Sequence, residues 1–170
     1  MYKDVTFEEY ALARGAALIR FARLLTADEH RAEDLVQDVL AKAYASWRRI
    51  GALDQPDLYV RRMLVNANTS WWRRAVNREV AVAEVGGIAT AARDSAADSA
   101  DRDELWRLVL QLPARQRAVI VLRYYEDYDD ATIAELLHCT QGTVRTQAKR
   151  ALEKLQQLRR PAVDAAKGER

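Results

Sequence analysis

Arg145, Thr146, Lys149 and Arg150 are four hydrogen-bond donors that share one side of any helix that carries them. Such a face can meet phosphates and the acceptor edges of bases in a major groove. The apolar positions Val144, Ala148, Ala151, Leu152 and Leu155, advanced by 100° per residue, occupy about a third of the helix circumference on the opposite side. Upstream, Asp129 is suited to cap a first helix with Ile133, Ala134 and Leu137 turned inward, and Thr140 is suited to cap the second. The whole stretch reads as helix-turn-helix, with Gly142 allowing close approach of the backbone. An ordinary solvated hairpin with a basic face is the bland alternative; the short turn, two caps and segregated charge argue together against it.

A second polar stripe lies on the helix expected over 56–77. Arg62, Asn66, Thr69 and Arg73 follow one another at helical spacing, opposite Val60, Met63, Leu64, Ala67 and Trp71. Amides and hydroxyls between arginines suit base edges and phosphates. Asn68 and Trp72 stand at the margin of the stripe, where the Trp72 ring could stack on an exposed base or pack partly into the core, the latter slightly favoured, whereas Trp71 is expected in the core. The helix over 28–48 has the opposite sign. Its apolar stripe is Ala32, Leu35, Val36, Val39, Leu40, Ala43 and Trp47, and its other face holds Asp34, Asp38, Ala41 and Ala45. That acidic face is either a protein-docking surface or a solvated one, and its chemistry alone does not choose.

These faces must be carried by helices, and nothing in the chain alternates like a strand. Helices are expected at about 7–25, 28–48, 56–77, 102–111, 114–126, 130–137 and 141–159, giving an all-α fold. Thr6-Phe-Glu-Glu9 and Thr26-Ala-Asp-Glu29 have capping-box spacing, while Pro56 and Pro113 suit first turns. Charge divides the same chain. A net charge of +2 from 27 basic and 25 acidic residues hides five arginines and no acid over 61–78, then seven acids against two arginines over 79–104. From 139 to 160 six basic residues face one acid. The Ala-rich stretch between the basic blocks has little to bury and reads as a linker.

Composition excludes several classes. Hydrophobic residues make up 49% and charged residues 31% of the 170, an ordinary globular balance. No apolar run approaches the ~20 residues of a membrane span, the first residues lack a signal-peptide pattern, and the cytoplasm is the expected location. One cysteine, Cys139, and two isolated histidines, His30 and His138, supply neither a disulfide nor a zinc site. With no Gly-rich phosphate loop and no catalytic constellation, neither a cofactor nor an enzymatic activity is expected.

Asp34-Leu-Val-Gln-Asp38, Tyr44, Trp47, Tyr59-Val-Arg-Arg-Met-Leu-Val-Asn66 and Trp71-Trp-Arg-Arg74 together resemble region 2 of bacterial sigma factors. Leu112-Pro-Ala-Arg-Gln-Arg117, Leu122-Arg-Tyr-Tyr-Glu-Asp127, Gly142-Thr-Val-Arg-Thr146 and Arg150-Ala-Leu152 resemble region 4. With no domain between them, the chain is similar to the extracytoplasmic function (ECF) group of the sigma-70 family, and the Trp71-Trp72 pair resembles its actinobacterial SigE-like subset. The resemblance implies a region 2 bundle over 1–78, an acidic linker over 79–101, a region 4 helix-turn-helix over 102–160 and a tail over 161–170 that is too short for a further domain.

It also implies roles. Asp34, Gln37 and Asp38 would bind core RNA polymerase, which resolves the ambiguity of their face. Arg62, Asn66, Thr69, Trp72 and Arg73 would melt and read the minus 10 element, with the loop Arg49–Gln55 capturing a flipped base. Gly142, Arg145, Thr146, Lys149 and Arg150 would read the minus 35 element. Arg115 and Arg117 would meet phosphates or the polymerase flap, and the linker would thread toward the polymerase channels. Three positions depart from the family pattern: Thr132 stands where Glu is usual, His138 where Gly is usual, and Ser70 where Asp is usual. The implied partners are core RNA polymerase, promoter DNA and, as is common in the family, an anti-sigma factor, with no membrane insertion. The rival is a stand-alone helix-turn-helix repressor or activator with an N-terminal dimerisation domain, which leaves the stripe of helix 56–77 and the Asp34–Asp38 face without a task.

Overall fold

Helix α1 (Phe7–Thr26) starts at the capping box that the sequence carries: the Glu9 N–H donates to Thr6 Oγ1 at 3.2 Å and the Thr6 N–H to Glu9 Oε2 at 2.9 Å. The computed structural model describes residues 5–78 and 100–167, all of it helices and short connections with no strand. Helices α2 (Glu29–Ala45), α3 (Trp47–Ile50) and α4 (Pro56–Arg78) follow α1 in the first of two compact units, Met1–Gly87. The second unit, Ile88–Arg170, holds α5 (Ala100–Leu110), α6 (Ala114–Ile120), a π-helical turn (Val121–Tyr125), α7 (Asp130–Leu136) and α8 (Gln141–Lys167). The expected linker 79–101 lies outside the described residues apart from its last two, as do the last three residues of the tail.

The first unit packs α1, α2 and α4 around Leu18, Phe21, Leu25, Val36, Val39, Val60, Leu64 and Val65, all buried. Each such side chain contributes roughly 1.5–3 kcal/mol when fully buried, and the polar residues between them are left outward. The second capping box did not form. Thr26 is buried instead, its Oγ1 donating to Ala22 O at 2.9 Å, and Ala27 closes α1 in the left-handed region at φ 54°. The chain reverses so tightly that Asp28 becomes the cap of α2, accepting the Arg31 N–H at 2.9 Å. At its far end α2 stops at Ala45, and the separate turn α3 carries Trp47 back toward α1. Trp47 Nε1–H donates to Val5 O at 3.0 Å, and its ring meets Phe7 and Tyr10 at centroid distances of 5.5 and 4.8 Å. A Cβ on Gly51 would stand 3.1 Å from the Trp47 ring nitrogen and from its carbonyl oxygen, so glycine lets the chain leave here without displacing that ring.

α4 is locked to α1 through one carboxylate. Asp57 accepts from Tyr10 Oη at 3.1 Å and from Arg61 Nε at 2.8 Å, with Arg14 at 3.8 Å. Burial, and then the Asp57 charge, push the Tyr10 phenol above its ordinary value, so it remains a donor.

In the second unit every residue from Arg117 to Leu122 is buried, which an ordinary surface helix cannot achieve with one stripe. α6 is the centre of this unit, packed by α5 and α8, and the expected helix 114–126 widens at 121–125 into the π turn. Around it lie Val109, Ile133, Ala134, Leu136, Val144, Ala148, Ala151 and Leu155. Two expected core positions shift: Leu136 rather than Leu137 is buried in α7, and Leu152 stays exposed, because the short α7 and the outer side of α8 leave those positions uncovered.

Arg117 is the larger correction, since a residue expected to meet phosphates or polymerase is only 5% exposed. Its Nη1 donates to Leu112 O at 2.9 Å and Leu110 O at 3.3 Å, holding the carbonyls that α5 leaves unpaired at its end. Burial lowers its pKa to about 10, so the guanidinium stays charged at neutrality. We expect Arg117→Ala to destabilise the second unit by about 2–4 kcal/mol, because it orphans buried carbonyls. Arg115→Ala, on the exposed surface, should change stability by under about 0.5 kcal/mol. Urea unfolding of both variants, followed by helical circular dichroism, compares the two.

Candidate nucleic-acid and protein interfaces

α8 opens as expected. Thr140 Oγ1 accepts the Thr143 N–H at 3.1 Å, and the turn before it is closed by His138 at φ 52°, the left-handed conformation for which glycine is the cheaper residue. α7 is capped by Asp129, whose Oδ1 accepts the Thr132 N–H at 2.7 Å. That bond holds the Asp129 carboxyl below the ordinary carboxylate range. The cap is therefore complete above the ordinary carboxylate pKa and is lost only as acid carries the pH down through the lowered value. The two helices are held at the geometry of a helix-turn-helix, with α8 presenting its first turns outward.

Of the side chains expected to read DNA from α8, Arg145, Thr146, Lys149 and Arg150 are all exposed. Gly142 is exposed too, and a Cβ added there would meet nothing closer than Thr140 Oγ1 at 3.7 Å. The protein's own packing does not require glycine at 142, in keeping with close approach from outside. Thr146 Oγ1 turns back to Gly142 O at 3.0 Å, so its hydroxyl is half committed to its own helix. Arg145 is tethered: Nε donates to Asp130 Oδ2 at 3.3 Å and Nη2 to Gln141 Oε1 at 3.3 Å.

In the first unit, Arg62, Asn66 and Arg73 are exposed along α4. Thr69 is half-buried, its Oγ1 donating to Val65 O at 2.8 Å. Asp34, Gln37 and Asp38 are exposed together on α2. Between α2 and α4 runs a groove of about 690 Å³, lined by Asp34 and Asp38 on one wall and by Asn66, Trp71 and Arg74 on the other. Of the α4 stripe only Asn66 reaches this groove; Arg62, Thr69 and Arg73 do not line it. The loop after α3 exposes Ala52 to Gln55 at the end of the aromatic cluster of Phe7, Tyr10 and Trp47.

Residues 12–78 match the family described as Sigma-70 region 2, and residues 102–155 match Sigma-70, region 4. The RNA polymerase sigma-E factor of Streptomyces coelicolor is 36% identical over 157 residues, covering 92% of this chain and 88% of that protein. The chain belongs to the sigma-70 family. ECF RNA polymerase sigma factor SigL of Mycobacterium tuberculosis is 30% identical over 154 residues, covering 88% and 84%. The sigma factor RpoE of Bartonella quintana, solved in complex with the anti-sigma factor NepR, superposes with a TM-score of 0.61 at 27% identity, covering 89% of this chain and 95% of that one. Within the family this chain is an ECF sigma factor.

For this sigma factor the structure reverses one expectation at the end of α4. Trp71, expected in the core, is 41% exposed, whereas Trp72 is half-buried, as its part-core reading has it, with only its margin open for stacking. The buried stripe of α4 runs Val60, Leu64 and Asn68, one position round from the stripe drawn through Trp71, because α4 also fits against α1. Trp72 lies edge-on to Trp71 at 5.3 Å, and among the described residues its buried Nε1–H has no hydrogen-bond partner. Asn68 is only 4% exposed and is structural: its Oδ1 accepts from Arg31 Nη2 at 2.6 Å.

Arg31 was invisible to pattern reading. Its guanidinium reaches from α2 to sit 3.4 Å from the Trp71 ring centroid and 5.1 Å from that of Trp72. Nothing in the spacing of a single arginine in an acidic helix marks it as the residue that joins α2 to α4. We expect Arg31→Ala to destabilise the first unit by about 1–3 kcal/mol, from loss of the cation over the ring and of the bond to buried Asn68. Urea unfolding measures the first effect, and greater acrylamide quenching of tryptophan fluorescence in the native state reports release of Trp71.

Proposed function

We propose that this ECF sigma factor docks on core RNA polymerase through Asp34, Gln37 and Asp38 of α2 and reads promoters through α4 and α8. As an alternative sigma factor, it binds core polymerase and directs it to specific promoters. The observation that carries the reading is the presence in one chain of both sigma regions, each with its polar side chains turned outward from an aliphatic core. Arg62, Asn66, Thr69, Arg73 and the margin residue Trp72 act on the minus 10 element; the exposure of Trp71 adds it to that set. Gly142, Arg145, Thr146, Lys149 and Arg150 act on the minus 35 element, where arginine and lysine donors match guanine acceptors and phosphates.

Of the minus 10 residues Asn66 alone lines the groove opposite Asp34 and Asp38, so polymerase seated on those carboxylates stands beside that one reader. Each DNA-binding face alone offers few phosphate contacts, hence weak and salt-sensitive affinity, and polymerase raises the effective concentration of both. The protein acts where polymerase and chromosome are, in the cytoplasm, and contributes recognition rather than catalysis. Among the described residues no helix is long and apolar enough to cross a membrane. By its likeness to the RpoE of the NepR complex, it is also a candidate for capture by an anti-sigma factor.

Run-off transcription with core polymerase on genomic fragments tests the reading, and discrete new transcripts dependent on the protein are expected. Asp34→Arg combined with Asp38→Arg should abolish co-purification with core polymerase while leaving the circular dichroism spectrum unchanged. Tight, specific duplex binding by the free wild-type protein in a gel shift at moderate salt would instead favour the repressor.

A further inference from the structure

Asp130, at the first position of α7, holds two arginines from different elements with one carboxylate. Its Oδ1 accepts from Arg123 Nη2 of the π turn and its Oδ2 from Arg145 Nε of α8. Gln141 Oε1 accepts from Nη2 of the same Arg145, and Nη1 carries no bond among the described residues. The Arg145 side chain nonetheless remains 67% exposed. Its guanidinium is thus fixed along its inner edge and open along its outer one. We propose that Asp130 is a positioning residue for minus 35 recognition, setting the Arg145 fork before DNA arrives so that it reads one or two adjacent base pairs.

The proposal rests on Arg145 being a base-reading side chain and adds what makes it selective. A free arginine loses several rotatable bonds when it engages a guanine, and a tether already in place removes part of that ordering loss. Bonding through Nε and one hydrogen of Nη2 leaves Nη1 and the other Nη2 hydrogen to face a base edge that offers two acceptors. An exposed ion pair of this kind is too weak to keep the arginine from such a partner. A bare carboxylate beside DNA would repel the phosphates. Here Arg123 offsets it, and the three groups together keep a net positive charge. Arg123 comes from the buried centre of the unit, so the position of the carboxylate is tied to the core rather than to a loose helix end.

The test uses holoenzyme on a promoter that it transcribes, with the minus 35 element randomised and the transcribed templates sequenced. Arg145→Ala should flatten the preference at one or two adjacent base pairs. Asp130→Ala should flatten the same pairs by about two- to tenfold, the scale of one ordered side chain, and leave the others. The double variant should be no flatter than Arg145→Ala alone. Asp130→Asn, isosteric and uncharged, carries the test if Asp130→Ala folds poorly, and should flatten the same pairs. Asp129→Ala removes the cap of α7 without touching Arg145 and should retain the preference. An unchanged profile for both Asp130 variants, or an equal loss at the same pairs with Asp129→Ala, overturns the proposal while leaving Arg145 as a reader. An unchanged profile for Arg145→Ala itself overturns the base-reading assignment, and the proposal with it.

Discussion

Each helix of this chain has to bury an aliphatic stripe in a unit with few stripes to spare. In the first unit Leu18, Phe21 and Leu25 of α1 meet Val36 and Val39 of α2 and Val60, Leu64 and Val65 of α4. In the second, α5 and α8 pack on α6, and α7 packs on α8 and the π turn. Small units bury a modest fraction of their surface, so neither can give up an inward position to a polar reader. A side chain that is to reach DNA or polymerase must ride the far side, or, like Thr69 and Trp72, the margin, of a helix whose near side is committed. This coupling is why Arg62, Asn66 and Arg73, or Arg145, Lys149 and Arg150, come as spaced sets rather than as a cluster in sequence.

Charge then performs two separate tasks. Arg31, Arg117 and Arg123 serve inside the units or at their seams, where they satisfy a buried amide, two helix-end carbonyls and a carboxylate. Arg62, Arg73, Lys149 and Arg150 remain exposed. A guanidinium is suited to the first task because its planar set of donors can serve several acceptors at once and its long stem can pack along apolar neighbours. A net charge of +2 is therefore a poor summary of what DNA meets. Part of the positive charge is spent internally, and part of the negative charge stands exposed on α2 at Asp34 and Asp38.

The all-α architecture, the start of α1, the caps at Asp129 and Thr140 and the outward face of α8 were legible because each follows from a local rule about spacing or hydrogen bonding. The resemblance of the residues to sigma regions 2 and 4 was legible too, and the family matches agree with it. What was not legible depends on a second element. Thr26 has the right spacing for a cap, but the tight α1–α2 reversal buries it and hands the cap to Asp28. Trp71 and Trp72 differ by 100° on α4, and only the combined packing of α1 and α2 decides which one is covered. Arg117 looked like its exposed neighbour Arg115, and nothing short of the position of α5 shows that its donors have carbonyls to meet.

Arg31 and Asp130 share a logic that links packing to selectivity. In each case a buried or tethered polar group fixes an exposed one: Arg31, bound to Asn68, holds the face of Trp71, and Asp130, bound to Arg123, holds the edge of Arg145. The exposed member supplies chemistry that any solvent-facing tryptophan or arginine could offer. The hidden member restricts its orientations, and under the proposed reading discrimination between bases that differ by one acceptor depends on that restriction. A chain that is brought to DNA by a large partner has little need for affinity in its own contacts, since the partner supplies effective concentration. It needs those contacts to be selective, and in so small a scaffold selectivity is obtained by anchoring a few exposed side chains to the core.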